Sequence, residues 1–484
     1  MTFLSTGFFV FFAAVAGAYY LCPHRFRWAL LLAASYLFYA SFRAPHLAVL
    51  GFTTAVTYAT GLAMGAAAPR SPRRRAWLFT ALALDLGALL VFKYLGLFGR
   101  TADALLSAAG IGCRVPAIEL ALPVGISFYT FQALGYSIDV YRGDRPAERH
   151  LGLLALYCAF FPQLLSGPIE RSTRLLPQLL RRVTPEYDRI ASGMSLVLLG
   201  IFKKVVIADR LALYADEVFA HPAQHQGAPA VLAVYAFTVQ IYCDFAGYSD
   251  MAIGLARILG FDLMANFERP YGARTITEFW RRWHISLSSW FRDYLYKPLG
   301  GNRCAKPRWL ANLMIVFVVS GLWHGASWTF VAWGGLHGAY AIAGALTAGP
   351  RARIAEALRL TRGAAARVHD VVRAIVVFHL VAFAWIFFKA ATFEGAIAVV
   401  RACARGPFRL ADLPLQRLDA YELAIAAVAC ALLFAYELAQ ARRKWDGFLR
   451  GAAAYVRWPI YVAAISAILV FGVFGVTTFI YVQF

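Results

Sequence analysis

Histidines are the residues of this chain best suited to chemistry. His324 stands in SGLWHGASW (320–328), directly after LANLMIVFVVSGLW, a run without a single charge. An ionisable side chain at the end of such a run is costly to bury and points to function. A neutral imidazole in apolar surroundings can take a proton from an attacking hydroxyl or thiol. Gly321 and Gly325 beside it permit close backbone approach or a break in the helix. The competing reading is a hydrogen-bonded histidine that packs helices. His284 lies in FWRRWHISLSSWFRDYLYKPLGGNR (279–303), and His337 in GGLHG, 13 residues past His324. A lone histidine of either kind is more often structural.

The segment around His284 carries a second puzzle. Trp280, Trp283, Leu287, Trp290 and Tyr294 recur at helical spacing and predict one apolar stripe, ended by Pro298 and Gly300–Gly301. Arg281, Arg282 and Arg292 fall off the stripe. Such a helix is expected in the membrane interface, its rings anchoring and its arginines facing lipid headgroups. The functional alternative gives these arginines the phosphates of an acyl donor from the cytoplasm, because the guanidinium fork engages phosphate bidentately. Asp244, in YCDFAGYSD, sits at the end of an apolar run and could orient a histidine, as could Asp250. Asp85 and Lys93 are read as structural. There is no GxSxG elbow, HExxH, Walker A loop or GxGxxG, which disfavours a serine hydrolase, a zinc protease and an ATP-driven pump. Single-histidine acyl transfer or a proton relay is left.

These residues must be positioned by membrane helices. Of 484 residues, 61% are hydrophobic and only 15% charged, against about 25% charged in a soluble chain. Apolar runs predict spans over 3–21, 28–42, 47–66, 77–97, 118–139, 190–208, 228–246, 310–324, 328–346, 374–390, 419–438 and 457–480. Pro162 and Gly167 make 151–167 a re-entrant segment, and 247–262 a second candidate for one. The seven cysteines form no CxxC pair and read as small buried hydrophobes. The first span reads as an uncleaved helix.

The net charge of +21 is gathered in short loops that flank spans, a positive-inside pattern rather than a nucleic-acid surface. Placing 24–27 and 70–75 in the cytoplasm puts both termini outside and 263–309 and 351–373 inside. His324 then lies some 20 Å above the cytoplasmic surface, about 15 residues up an ascending helix. The loop 391–418 disagrees, since it falls outside yet carries Arg401, Arg405, Arg409 and Arg417.

TEFWRRWHISLSSWFRDYLYKPLGGNR together with GLWHGASWTFVAWGGLHG resembles the membrane-bound O-acyltransferase family. LPVGISFYTFQALGYSIDVYRGD (122–144), SGPIERSTRLLPQL (166–179), YCDFAGYSDMAIGLARILGF (242–261) and a terminal YVQF extend the likeness over most of the chain. The resemblance implies an all-α polytopic fold: a ring of about 10–12 transmembrane helices, with re-entrant and interfacial helices, around a central tunnel. It implies one transmembrane domain over 1–484, with a motif core at about 122–346 and C-terminal helices at 374–484. It makes His324 the catalytic histidine and His284 the second family histidine. In the bacterial polysaccharide branch, an acetyl group passes from a cytoplasmic donor, acetyl-CoA, across the inner membrane to a periplasmic polysaccharide acetyltransferase. The polymer would be alginate or a similar exopolysaccharide. No bound cofactor, metal or nucleic acid is expected. Trp283, Trp323 and Trp328 are expected to shape the channel. His324 would act as general base, an acyl-histidine being the variant. A lipid or small-molecule acyltransferase, a proton-coupled transporter and a structural scaffold remain the competing classes.

Overall fold

Hydrocarbon offers the backbone no hydrogen-bond partner, so apolar runs satisfy their own N–H and C=O groups as helices. Each of the twelve expected spans falls on a helix of the computed structural model, which describes residues 1–111, 120–165, 167–406, 408, 420–443 and 453–475. Cys113, Arg409, Arg417, the basic residues of 444–450 and the terminal YVQF lie outside the described residues, as do the start of 118–139 and the end of 457–480. No strand occurs among the described residues. Among the described residues, six helices are long and apolar enough to cross a membrane: His46–Ala66, Pro72–Ala108, Tyr187–Ala220, Ala228–Ile258, Gly363–Lys389 and Tyr421–Gln440. Thr6–Leu21 and Tyr455–Phe471 are shorter apolar helices. The other expected spans lie on His24–Arg43, Ile126–Arg142, Lys306–His324 and Trp328–Leu346, which fall outside the six by length or composition. The chain is thus a multi-pass, all-helical membrane protein.

Three expectations change. The segment 247–262 is no separate element, because one 31-residue helix, Ala228–Ile258, runs through it. Asp244 therefore sits inside a continuous helix and not at the end of a span. The basic segment 391–418 is not simply a loop, since it contains the helix Phe393–Ala404, which buries Ala396, Val399 and Ala402. The stripe 280–294 is broken at His284 into two short helices. By contrast, 151–167 is interrupted as Pro162 suggests, into Leu151–Ala159 and Phe161–Leu164. Among the described cysteines, Cys158 and Cys243 are buried and the others half-buried, all with free thiols.

The chain divides into two compact units. The first comprises residues 1–199 and 248–264. Its buried polar groups pair locally: Thr57 Oγ1 donates to Asp85 at 3.4 Å, and Lys93 Nζ to Ser127 Oγ at 3.3 Å. Both acid and amine thus have structural partners. Its segments 187–199 and 248–258 cross at Gly193 and Gly254, each of which lies too close to the other's carbonyl oxygen for a Cβ.

The second unit comprises 200–247 and 265–484 and holds all three histidines under consideration. Its centre is the hairpin of Lys306–His324 and Trp328–Leu346. A Cβ on Gly321 would lie 2.2 Å from the Phe330 carbonyl oxygen, and one on Gly334 only 2.3 Å from that of Phe317. The two backbones touch because these positions have no side chain. Gly335 faces open space. Gly334→Val should therefore force the hairpin apart and cost at least about 1–3 kcal/mol, the usual penalty of overpacking, whereas Gly335→Val should be close to neutral. Thermal unfolding of the detergent-solubilised variants checks this, and equal loss at both positions would contradict it.

Candidate active site

His284 is placed by a broken helix. Thr275 caps Ile276–Arg282, its Oγ1 accepting from Glu278 N at 3.0 Å. The helix ends as Trp283 turns extended and His284 enters the left-handed region at φ 43°, ψ 55°. A residue with a side chain is strained there, so its surroundings must hold it. Asn266 does so. Its main-chain oxygen accepts from Ile285 N at 2.9 Å, and its Oδ1 from Ser286 N at 3.3 Å, which satisfies the start of Ile285–Phe291. Phe245 stands edge-on to the imidazole at 4.6 Å between centroids. His284 has no solvent exposure, and burial pushes its pKa down to about 3, so the ring is neutral at physiological pH.

His324 is the last residue of Lys306–His324. The helix stops at Gly325, where a Cβ would lie 2.1 Å from the Phe330 ring. The imidazole is 2% exposed and walled by Trp323 at 4.9 Å, Trp333 at 5.0 Å and Phe388 at 5.4 Å. Its centroid is 6.2 Å from that of His284, and Trp323 borders both rings, at 5.8 Å from His284. Two histidines 40 residues apart in sequence thus share one aromatic enclosure. Imidazoles so placed can accept or relay a proton at a group between them.

The remaining predicted residues sort differently. Trp323 belongs to the enclosure. Trp283 is fully buried and packs on Trp385, Phe267 and Phe279 at 5.0–5.5 Å. Trp280 and Trp290 are buried too, so the rings form core rather than an interfacial anchor. Trp328 is 57% exposed at the start of its helix. Arg282 pairs with Glu278 at 2.6 Å, and Arg292 with Asp293 at 3.0 Å. Arg281 is exposed. Asp244 binds Lys204 at 2.6 Å, and Lys204 also binds Asp209 at 2.7 Å, with each side chain at most 4% exposed. Asp244 is thus ion-paired, and its neighbour Phe245 packs on His284.

Local sequence reading missed several contributors. Trp385 and Phe388 come from a distant helix and left no local signal. Trp333 lies four residues before His337, which the sequence did single out, and that spacing could have been used. A cavity of about 320 Å³ was also invisible. Arg269, Glu437, Tyr242 and Tyr271 line it, and both tyrosine rings pack on Trp283, at 6.1 and 5.9 Å.

Comparison with known proteins bears on this geometry. Residues 150–355 match the family described as MBOAT, membrane-bound O-acyltransferase family. The chain is 40% identical over 442 residues to the probable alginate O-acetylase AlgI of Azotobacter vinelandii, covering 91% of this chain and 85% of the relative. It is 33% identical over 398 residues to the peptidoglycan O-acetyltransferase of Helicobacter pylori, covering 77% and 72%. It is 29% identical over 224 residues to the teichoic acid D-alanyltransferase of Bacillus subtilis, covering 44% and 56%.

The ionic trio behind Phe245 is testable. Removing one partner of a buried ion pair leaves a charge uncompensated, a loss of about 3–5 kcal/mol. Lys204→Met should lower the unfolding temperature sharply, and adding Asp244→Asn should restore part of the loss. No recovery in the double variant would mean that the pair is not coupled.

Proposed function

This chain belongs to the membrane-bound O-acyltransferase family, and we propose that it carries an acetyl group from a cytoplasmic thioester, acetyl-CoA, to an acceptor beyond the bacterial inner membrane. The acceptor serves O-acetylation of an extracytoplasmic polysaccharide, through a periplasmic acetyltransferase partner. Both termini lie on the periplasmic side. The observation that carries the reading is the pairing of His284 and His324, two buried imidazoles 6.2 Å apart in an aromatic enclosure. The named activities of the relatives support a polymer acceptor, since alginate, peptidoglycan and teichoic acid are all polymers. The 40% identity to an alginate O-acetylase favours alginate or a similar exopolysaccharide.

On this reading His324 is the general base. It takes the proton of the acceptor hydroxyl as that oxygen attacks the thioester carbonyl, and the thiolate leaves. Such positioned proton transfer contributes about 10²–10⁴-fold to rate. His284 aligns the donor or relays the proton. The exposed Arg281, with Arg282 and Arg292, meets the donor's phosphates. Trp283 and Trp323 shape the apolar passage, and Trp328 stands at its margin. Lipids surround the helices and take no part in the chemistry.

Bound acetate in secreted and cell-wall polysaccharide should fall to background in cells carrying His324→Ala, and fall clearly with His284→Ala, at wild-type levels of membrane protein. Unchanged acetate in every polymer would remove the proposed acceptor class.

A further inference from the structure

His337 is the histidine left unused, and it has a defined protonation pattern. It is fully buried, and its Nδ1 accepts from Trp280 Nε1 at 3.3 Å. In the neutral ring the proton must then be on Nε2. That Nε2–H has no hydrogen-bond partner among the described residues. Trp333, one helical turn away and 5.0 Å from His337 between centroids, is also fully buried, and its Nε1–H likewise lacks a partner among the described residues. Both groups are donors and neither can accept. A buried donor without an acceptor is costly, so the missing partner is an acceptor. Trp333 also stands 5.0 Å from His324.

We infer that Trp333 and His337 form a receptor for the carbonyl oxygen of the acyl group, beside His324. This rests on the thioester-donor reading given above. The apolar walls exclude a charged carboxylate and suit a neutral acetyl. When the acceptor hydroxyl attacks, a carbon–oxygen bond forms, its proton passes to His324, and the C=O π pair moves onto the oxygen held by the two N–H groups. The pair then returns as the carbon–sulfur bond breaks, and the thiolate takes the proton back from His324. Acyl ester and free thiol result. Donors fixed before the reaction stabilise that oxygen most as its charge grows.

The test compares acetyl-CoA with S-ethyl-CoA, a thioether that lacks the carbonyl oxygen, by calorimetric titration of the full-length solubilised protein. Wild type should bind acetyl-CoA about tenfold more tightly, the scale of one or two buried hydrogen bonds. Trp333→Phe and His337→Leu should each bring that ratio towards one while S-ethyl-CoA binding is kept. His337→Gln, which retains an N–H donor, should preserve it. Trp333→Phe keeps the ring and carries the test if His337→Leu fails to accumulate. A wild-type ratio near one, or a ratio unmoved in the variants, overturns the receptor and leaves the two N–H groups to bound water. If neither compound binds wild type, the thioester-CoA donor itself is wrong, and the receptor falls with it.

Discussion

The second unit depends on the backbone contact between Lys306–His324 and Trp328–Leu346. In a bilayer, helices gain little from hiding apolar surface from one another, because lipid is equally apolar. Close packing of small residues takes over that role. Gly321 against the Phe330 carbonyl and Gly334 against that of Phe317 provide it. The contact does more than join two helices. Trp333 adjoins Gly334 and faces His324 at 5.0 Å, so the distance that sets the hairpin also sets the wall of the histidine. A side chain at either glycine would displace both.

His284 is held by different means. Its left-handed backbone is unfavourable on its own, and the surroundings over-determine it. Asn266 takes the two N–H groups that follow, and Phe245 fixes the ring face. Phe245 is in turn anchored by its neighbour Asp244, locked to Lys204. The carboxylate offered as a partner for a histidine is thus ion-paired to Lys204, one residue from the ring that packs on His284. Burial keeps the His284 imidazole neutral.

Much of this was legible in the sequence, and the limits have physical causes. The twelve apolar runs mark the helices because each is a local property. His324 stood out because no charged residue interrupts the apolar run that leads to it. Family resemblance named His284 and His324 separately and did not bring them together, since no local pattern links residues 40 apart. The break at His284 was hidden because the Trp stripe keeps its period across it, and Asn266, the residue that stabilises the break, lies 18 positions upstream. Trp328 looked like a channel residue from its place in the WHGASW stretch. It opens its helix and is exposed, while Trp333, five residues on, is fully buried against His324. Lys204 precedes Asp244 by 40 residues, so their bond could not be read from either segment.

The placement of charge bears on the chemistry in a way that no single residue does. Around the two histidines the walls are indole, phenyl and imidazole, and the polar atoms they offer are mostly N–H donors. The guanidinium groups of Arg281 and Arg292 lie at exposed positions instead. The proposed donor, with an anionic body and a neutral acyl end, would fit that division: its phosphates would stay where water and arginine meet them, and only its thioester would enter the enclosure. A neutral base suits such a site, because an imidazolium there would have to be desolvated before each turnover. On the proposed mechanism charge would appear inside only as the acceptor attacks, with His324 gaining a proton and the carbonyl oxygen an electron pair. Opposite charges that arise together within a few ångströms in a medium of low polarity stabilise one another far more than they would in water. The aromatic enclosure, unfavourable to either charge alone, is therefore consistent with acyl transfer and poorly suited to holding a free proton for transport.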